Sequence, residues 1–99
     1  DCNGAVLAPG LVDMRVDFCE PGAEHKEDIE SGSRAAAAGG VTAVVTLPDT
    51  DPAIDDASVL EFVARRARDV KLVKVFAYAT VTRAGNSDEI VENDARALE

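Results

Sequence analysis

Trp is absent, aromatic residues make up only 4% of the chain, and there are two Cys and one His. A core without Trp must be built from Ala, Val, Leu and Ile, and a hydrophobic content of 46% supplies the material. The cysteines, Cys2 and Cys19, stand at unrelated positions. They form neither a CxxC motif nor a disulfide framework, so a reduced, cytoplasmic compartment is expected. No run approaches the ~20 apolar residues of a membrane span, and nothing at the start resembles a signal peptide. Basic residues are also scarce: 10 Lys and Arg against 19 Asp and Glu give a net charge of −9. That field repels phosphate backbones and anionic lipid, so neither a nucleic-acid nor a membrane partner is expected.

The 99 residues have the size of one small domain. Chains of this length bury roughly 60–70% of their surface and depend on good packing or a partner. The chain opens on Asp1 without an initiator Met, as a piece cut, processed or captured from a longer polypeptide would.

The pattern alternates strand and helix. Leu11 to Phe18 alternates apolar and polar residues behind the turn signal Pro9-Gly10. Asp28 to Ala38 reads as helix, stopped by Gly39-Gly40. Val41 to Leu47 is a β-branched run suited to a parallel strand covered on both faces. Pro48 ends it, and Asp49 to Pro52 is a loop. Asp56 is the predicted N-cap of a second helix reaching about Arg68. Its apolar face is Val59, Leu60, Val63, Ala64 and Ala67. A third strand is expected at Leu72 to Thr80, and a weaker helix at Asp88 to Glu99. The run Ala35 to Ala38 is expected to pack closely on the sheet. Such alternation is the unit of a parallel α/β protein, either the opening arc of a (β/α)8 barrel or part of a doubly wound sheet. Periodicity does not choose between them, although the first strand is followed by neither GxGxxG nor a P-loop.

The segments Ala8 to Asp13 (APGLVD), Glu20 to Gly22 (EPG), Glu24 to Glu27 (EHKE) and Ala35 to Asp55 resemble the dihydroorotase family of cyclic amidohydrolases. The resemblance implies an N-terminal fragment of a TIM-type barrel, with about three parallel strands and intervening helices. Residues 1–10 would be the tail of a preceding small β domain plus an entry loop, and 11–99 the first three β/α units. A complete barrel takes ~250 residues. The last strand of such a fragment leaves an unpaired edge, so association into an oligomer is expected.

The resemblance also places the family's His-x-His pair at positions 15 and 17, where two imidazoles bind zinc in active members. Here those positions hold Arg15 and Asp17. Alternation along the strand points Asp13, Arg15 and Asp17 the same way, toward the barrel mouth. A guanidinium has no acceptor lone pair and cannot ligate a metal. At ~4 Å from a divalent ion it would add roughly 8 kcal/mol of repulsion with an effective dielectric near ~20. A family Arg that grips the substrate carboxylate falls on Cys19, and a substrate-contacting Asn falls on Asp49. Both changes weaken the preference for an anionic substrate.

No catalytic or metal-binding residue is therefore expected among these positions, and no cofactor. Arg15, Asp17 and Asp49 are expected to form an ion-pair cluster instead. Cys19 reads as a small buried hydrophobe rather than a nucleophile. His25 reads as a structural or surface residue, and Asp13 as a supporting group. The resemblance points to a noncatalytic dihydroorotase-like partner of aspartate carbamoyltransferase in pyrimidine synthesis. Two other readings stand beside it: an active zinc amidohydrolase with ligands from later strands, and a small-molecule binding module in which Arg15 meets a carboxylate or phosphate.

Overall fold

The computed structural model describes residues 1–83. The helix expected at Asp88 to Glu99 lies outside them. Five elements follow in order: β1 (Leu11–Val16), α1 (Ile29–Ala38), β2 (Val41–Thr46), α2 (Ala57–Val70) and β3 (Lys74–Ala77). The strands form one sheet in the order β1-β2-β3, with both pairs parallel. Two consecutive β/α units are thus present, as the alternating pattern predicts. Among the described residues, no helix is long and apolar enough to cross a membrane.

Local chemistry sets the boundaries. Asp28 caps α1: its carboxylate accepts from the Ser31 N–H at 2.8 Å, and the Ser31 hydroxyl accepts from the Asp28 N–H at 3.3 Å. This reciprocal pairing satisfies donors that the first helical turn leaves open. Asp56 does the same for α2, accepting from the N–H groups of Ser58 at 2.8 Å and Val59 at 3.1 Å. α2 runs two residues past the predicted end. It closes on Lys71, which takes a left-handed φ of 54° without being glycine. In α1 the left-handed residue is Gly40 (φ 85°), one position beyond the cap at Gly39. Strands β1 and β3 are shorter than their apolar patterns, because the chain leaves the sheet where the flanking residues turn into loops.

One core holds the layers together. It contains Phe18, Ile29, Val44, Ile54, Val59, Leu60 and Val63, of which Ile29, Val44 and Ile54 are fully buried. Phe18 and Ile54 follow the ends of β1 and β2, while Ile29 and Val59 open the helices. The core therefore reaches the carboxyl ends of β1 and β2, and Val41, Ala67, Val70 and Val73 extend it toward the opposite ends. The predicted apolar face of α2 is the buried one. The alanine run contributes less than expected: Ala36 packs on the core, and Ala35, Ala37 and Ala38 are exposed. Only one residue of the four meets the sheet as the helix turns.

The amino-terminal part of β1 is uncovered, with Leu11, Val12 and Met14 62–64% exposed. Phe76 and Tyr78 are also exposed, at 51% and 40%.

Candidate functional site

The sheet delivers two loops to one place. As β1 ends, Val16 and Phe18 turn toward the core, and Asp17 and Cys19, at the alternate positions, line a cleft on the other side. The second wall is Asp49, Thr50 and Asp51, just past β2. The walls touch: the Asp51 N–H donates to the Pro21 carbonyl at 3.0 Å. Gly22 has a φ of 114°, and a Cβ built on it would stand 2.7 Å from the Asp51 carbonyl oxygen. Only glycine combines that backbone angle with that approach. The resulting cleft has a volume of about 410 Å³, and Lys26 is its cationic lining residue.

Three of the sequence-predicted positions meet here: Asp17, Cys19 and Asp49. Arg15 does not join them. The expected Arg15, Asp17 and Asp49 ion-pair cluster is absent. Arg34, Arg65, Arg66 and Arg68 on the helices do form ion pairs, with Glu20, Glu30 and Glu61. All three residues of the expected cluster are exposed, so water solvates each charge and nothing compels a pair. Local hydrogen bonds take the carboxylates instead. Asp13 accepts from the Arg15 N–H at 3.0 Å, and Asp17 accepts from the Cys19 N–H at 3.0 Å.

The single row of Asp13, Arg15 and Asp17 also needs correction. The β1–β2 register shifts between Asp13, opposite Val44, and Val16, opposite Thr46. One extra residue of β1 falls in that interval, so strict alternation does not run through it. Asp13 and His25 are exposed and stand outside the cleft lining.

Cys19 is half-buried rather than packed as a hydrophobe. Its Sγ lies 3.4 Å from Asp17 Oδ1. Burial first, then the hydrogen bond to Asp17 and its charge, raise the thiol pKa above its ordinary value. A thiol held protonated is a poor nucleophile at neutral pH. The cleft as a whole sets Asp17, Asp49 and Asp51 against Lys26, a balance that disfavours anions.

Sequence reasoning missed Lys26, Thr50, Asp51 and, beneath them, Glu20. Glu20 is 7% exposed; its carboxylate accepts from the Ile29 N–H at 2.8 Å and from Arg66 Nε at 3.0 Å. A signal was available. Extending the core-facing alternation of Val16 and Phe18 by one step puts an acid inside, where it requires donors.

The zinc that the family resemblance implies for active relatives does not fit these residues. Arg15 offers no lone pair. The Asp17 oxygen accepting from the Cys19 N–H also receives its thiol. Among the described residues, no group of three or more His, Cys, Asp or Glu could hold a metal ion.

Comparison with known proteins agrees with the segments that carry the resemblance. The profile of the dihydro-orotase-like family matches residues 4–98. The dihydroorotase of Citrifermentans bemidjiense is 41% identical over 92 residues, covering 93% of this chain and 22% of the relative. That of Anaplasma phagocytophilum is 49% identical over 84 residues, covering 85% and 19%. That of Wolbachia sp. subsp. Drosophila simulans is 52% identical over 82 residues, covering 83% and 19%. The chain spans roughly a fifth of the length of these relatives. The chain belongs to the dihydro-orotase-like family.

Proposed function

We propose that this chain comes from a dihydroorotase-like protein of pyrimidine biosynthesis that has given up hydrolysis and serves as a noncatalytic subunit, supporting assembly of aspartate carbamoyltransferase. The observation that carries the noncatalytic reading is the donor set at the end of β1. Where the family resemblance calls for two neutral imidazoles, this chain has a guanidinium and a carboxylate already hydrogen-bonded to Cys19. A zinc hydrolase needs about three protein ligands and an open position for water. The cleft charge supports the same reading, since two anion-favouring family positions are now Cys19 and Asp49. The partner rests on the family resemblance alone.

The test uses the full-length protein. Metal analysis and a dihydroorotate hydrolysis assay should find no stoichiometric zinc and no turnover, while the transferase co-purifies from the native organism. Zinc with turnover would establish the competing reading, an active cyclic amidohydrolase with divergent ligands.

A further inference from the structure

The geometry points to Glu20 and Arg66 as positioning residues for the cleft: a clamp from the helix layer that holds the first wall in place and, through it, the second. This inference rests on reading the cleft as the site.

The first wall runs from Asp17 to Ala23. Two of its side chains, Phe18 and Glu20, turn away from the cleft and are buried, while Asp17 and Cys19 face it. Phe18 is held only by packing. Glu20 is held by directed bonds to two different helices. Its Oε2 accepts from the Ile29 N–H, the first residue of α1, at 2.8 Å. Its Oε1 accepts from Arg66 Nε of α2 at 3.0 Å. Arg66 also reaches Glu30 of α1 at 3.8 Å, so the clamp joins both helices.

The next residue, Pro21, supplies the carbonyl that accepts from the Asp51 N–H at 3.0 Å. The Cys19 carbonyl accepts from the Ala23 N–H at 2.8 Å, closing the wall on itself. A chain of short bonds therefore runs from Arg66 on α2 through Glu20 and Pro21 to Asp51 in the opposite wall. Arg66 and Glu20 touch nothing in the cleft, so their effect on it is indirect. Carboxylate and guanidinium suit this task because the planar fork fixes direction as well as charge.

Cys19 reports on the wall. Its thiol is raised first by burial, and that burial depends on the wall staying seated. Loosening it hydrates the sulfur, so the thiolate forms at lower pH. The experiment is isotope-coded alkylation of the full-length protein across a pH series, read on the Cys19-containing peptide by mass spectrometry. Other cysteines then do not interfere. Glu20→Gln places an amide where the guanidinium needs a full carboxylate, and Arg66→Met removes the guanidinium.

Both variants should alkylate Cys19 several-fold faster at neutral pH, with the pH midpoint shifted down. Arg66→Lys, which keeps the charge but loses the fork, should fall between them and the parent. Arg68→Met breaks an exposed pair with Glu61 on the same helix and should leave the profile unchanged. A parental Cys19 profile in both folded variants overturns the proposal. So does loss of the circular dichroism spectrum in both, because the pair would then hold the fold and not the wall. The readout involves no ligand or turnover, so failure of the functional reading above would leave this result intact.

Discussion

Replacing Gly22 by Ala tests whether the two cleft walls are held in contact. The substitution meets two separate obstacles. The first is backbone: at a φ of 114° an L-residue is strained, at a cost of about 1–3 kcal/mol. The second is contact: the new methyl would lie 2.7 Å from both the Cβ and the carbonyl oxygen of Asp51, and 2.9 Å from its N. Backbone atoms cannot swing aside as a side-chain tip does, so the walls must part, at about 1–3 kcal/mol by analogy with overpacked cores. Gly40 separates the two. Its φ is 85°, yet a Cβ there meets nothing within 4 Å. Gly40→Ala therefore carries the backbone cost alone. In a domain of this size 1 kcal/mol moves the melting temperature by about 4–8 °C. Thermal unfolding followed by circular dichroism should thus place Gly22→Ala roughly 4–24 °C below Gly40→Ala. Coincident melting of the two variants would refute the claim that the loops are packed backbone to backbone.

Three further outcomes follow from the core and the caps. Ile54, fully buried beneath the second wall, should cost about 2–5 kcal/mol on replacement by Ala, measured by urea unfolding. Ser33 is fully buried, and its hydroxyl has no hydrogen-bond partner among the described residues. Ser33→Ala should therefore stabilise the protein by about 1 kcal/mol, combining relief of an unsatisfied group with better helix propensity. The Asp28 carboxyl is held below its ordinary range chiefly by the Ser31 N–H, and that of Asp56 chiefly by the Ser58 hydroxyl. With folded pKa values lowered, the unfolded state binds more protons in the acid range. Their contribution is complete above the ordinary Asp value of ~3.9 and is lost as pH falls through the depressed folded values. Asp28→Asn with Asp56→Asn should flatten the stability profile in that window and leave its slope near neutrality unchanged.

Much of the fold was legible because its signals are local. Asp28 and Asp56 stand at the heads of amphipathic runs, and each caps the helix that follows. The β-branched stretch Val41 to Thr46 is the central strand, paired on both sides. The site was legible only in part. Family resemblance located Asp17, Cys19 and Asp49, and the fold brings them together. The ion-pair cluster failed because sequence gives charge and spacing but not solvation. Arg15, Asp17 and Asp49 are exposed, and backbone N–H groups two residues on took the carboxylates of Asp13 and Asp17. The row of three charges failed for a different reason: a register shift is a property of two strands, invisible in either one. Glu20 was overlooked because its partner, Arg66, is 46 residues away.

The end of β1 and the cleft beyond it thus contain two kinds of residue, which differ in what they do for the fold. Glu20, Pro21, Gly22 and Asp51 build the walls through buried or backbone contacts. Arg15, Asp17 and Asp49 are exposed and join no ion pair among the described residues. Substitution at exposed positions of that kind usually changes stability by within about 0.5 kcal/mol. Their identity therefore weighs little on folding. It follows that Arg15→His combined with Asp17→His should melt close to the parent, by roughly 1 kcal/mol or less for two such changes. A large loss of stability would mean that Arg15 or Asp17 is needed by the fold, and the reading of this strand as vacated catalytic ground would fail.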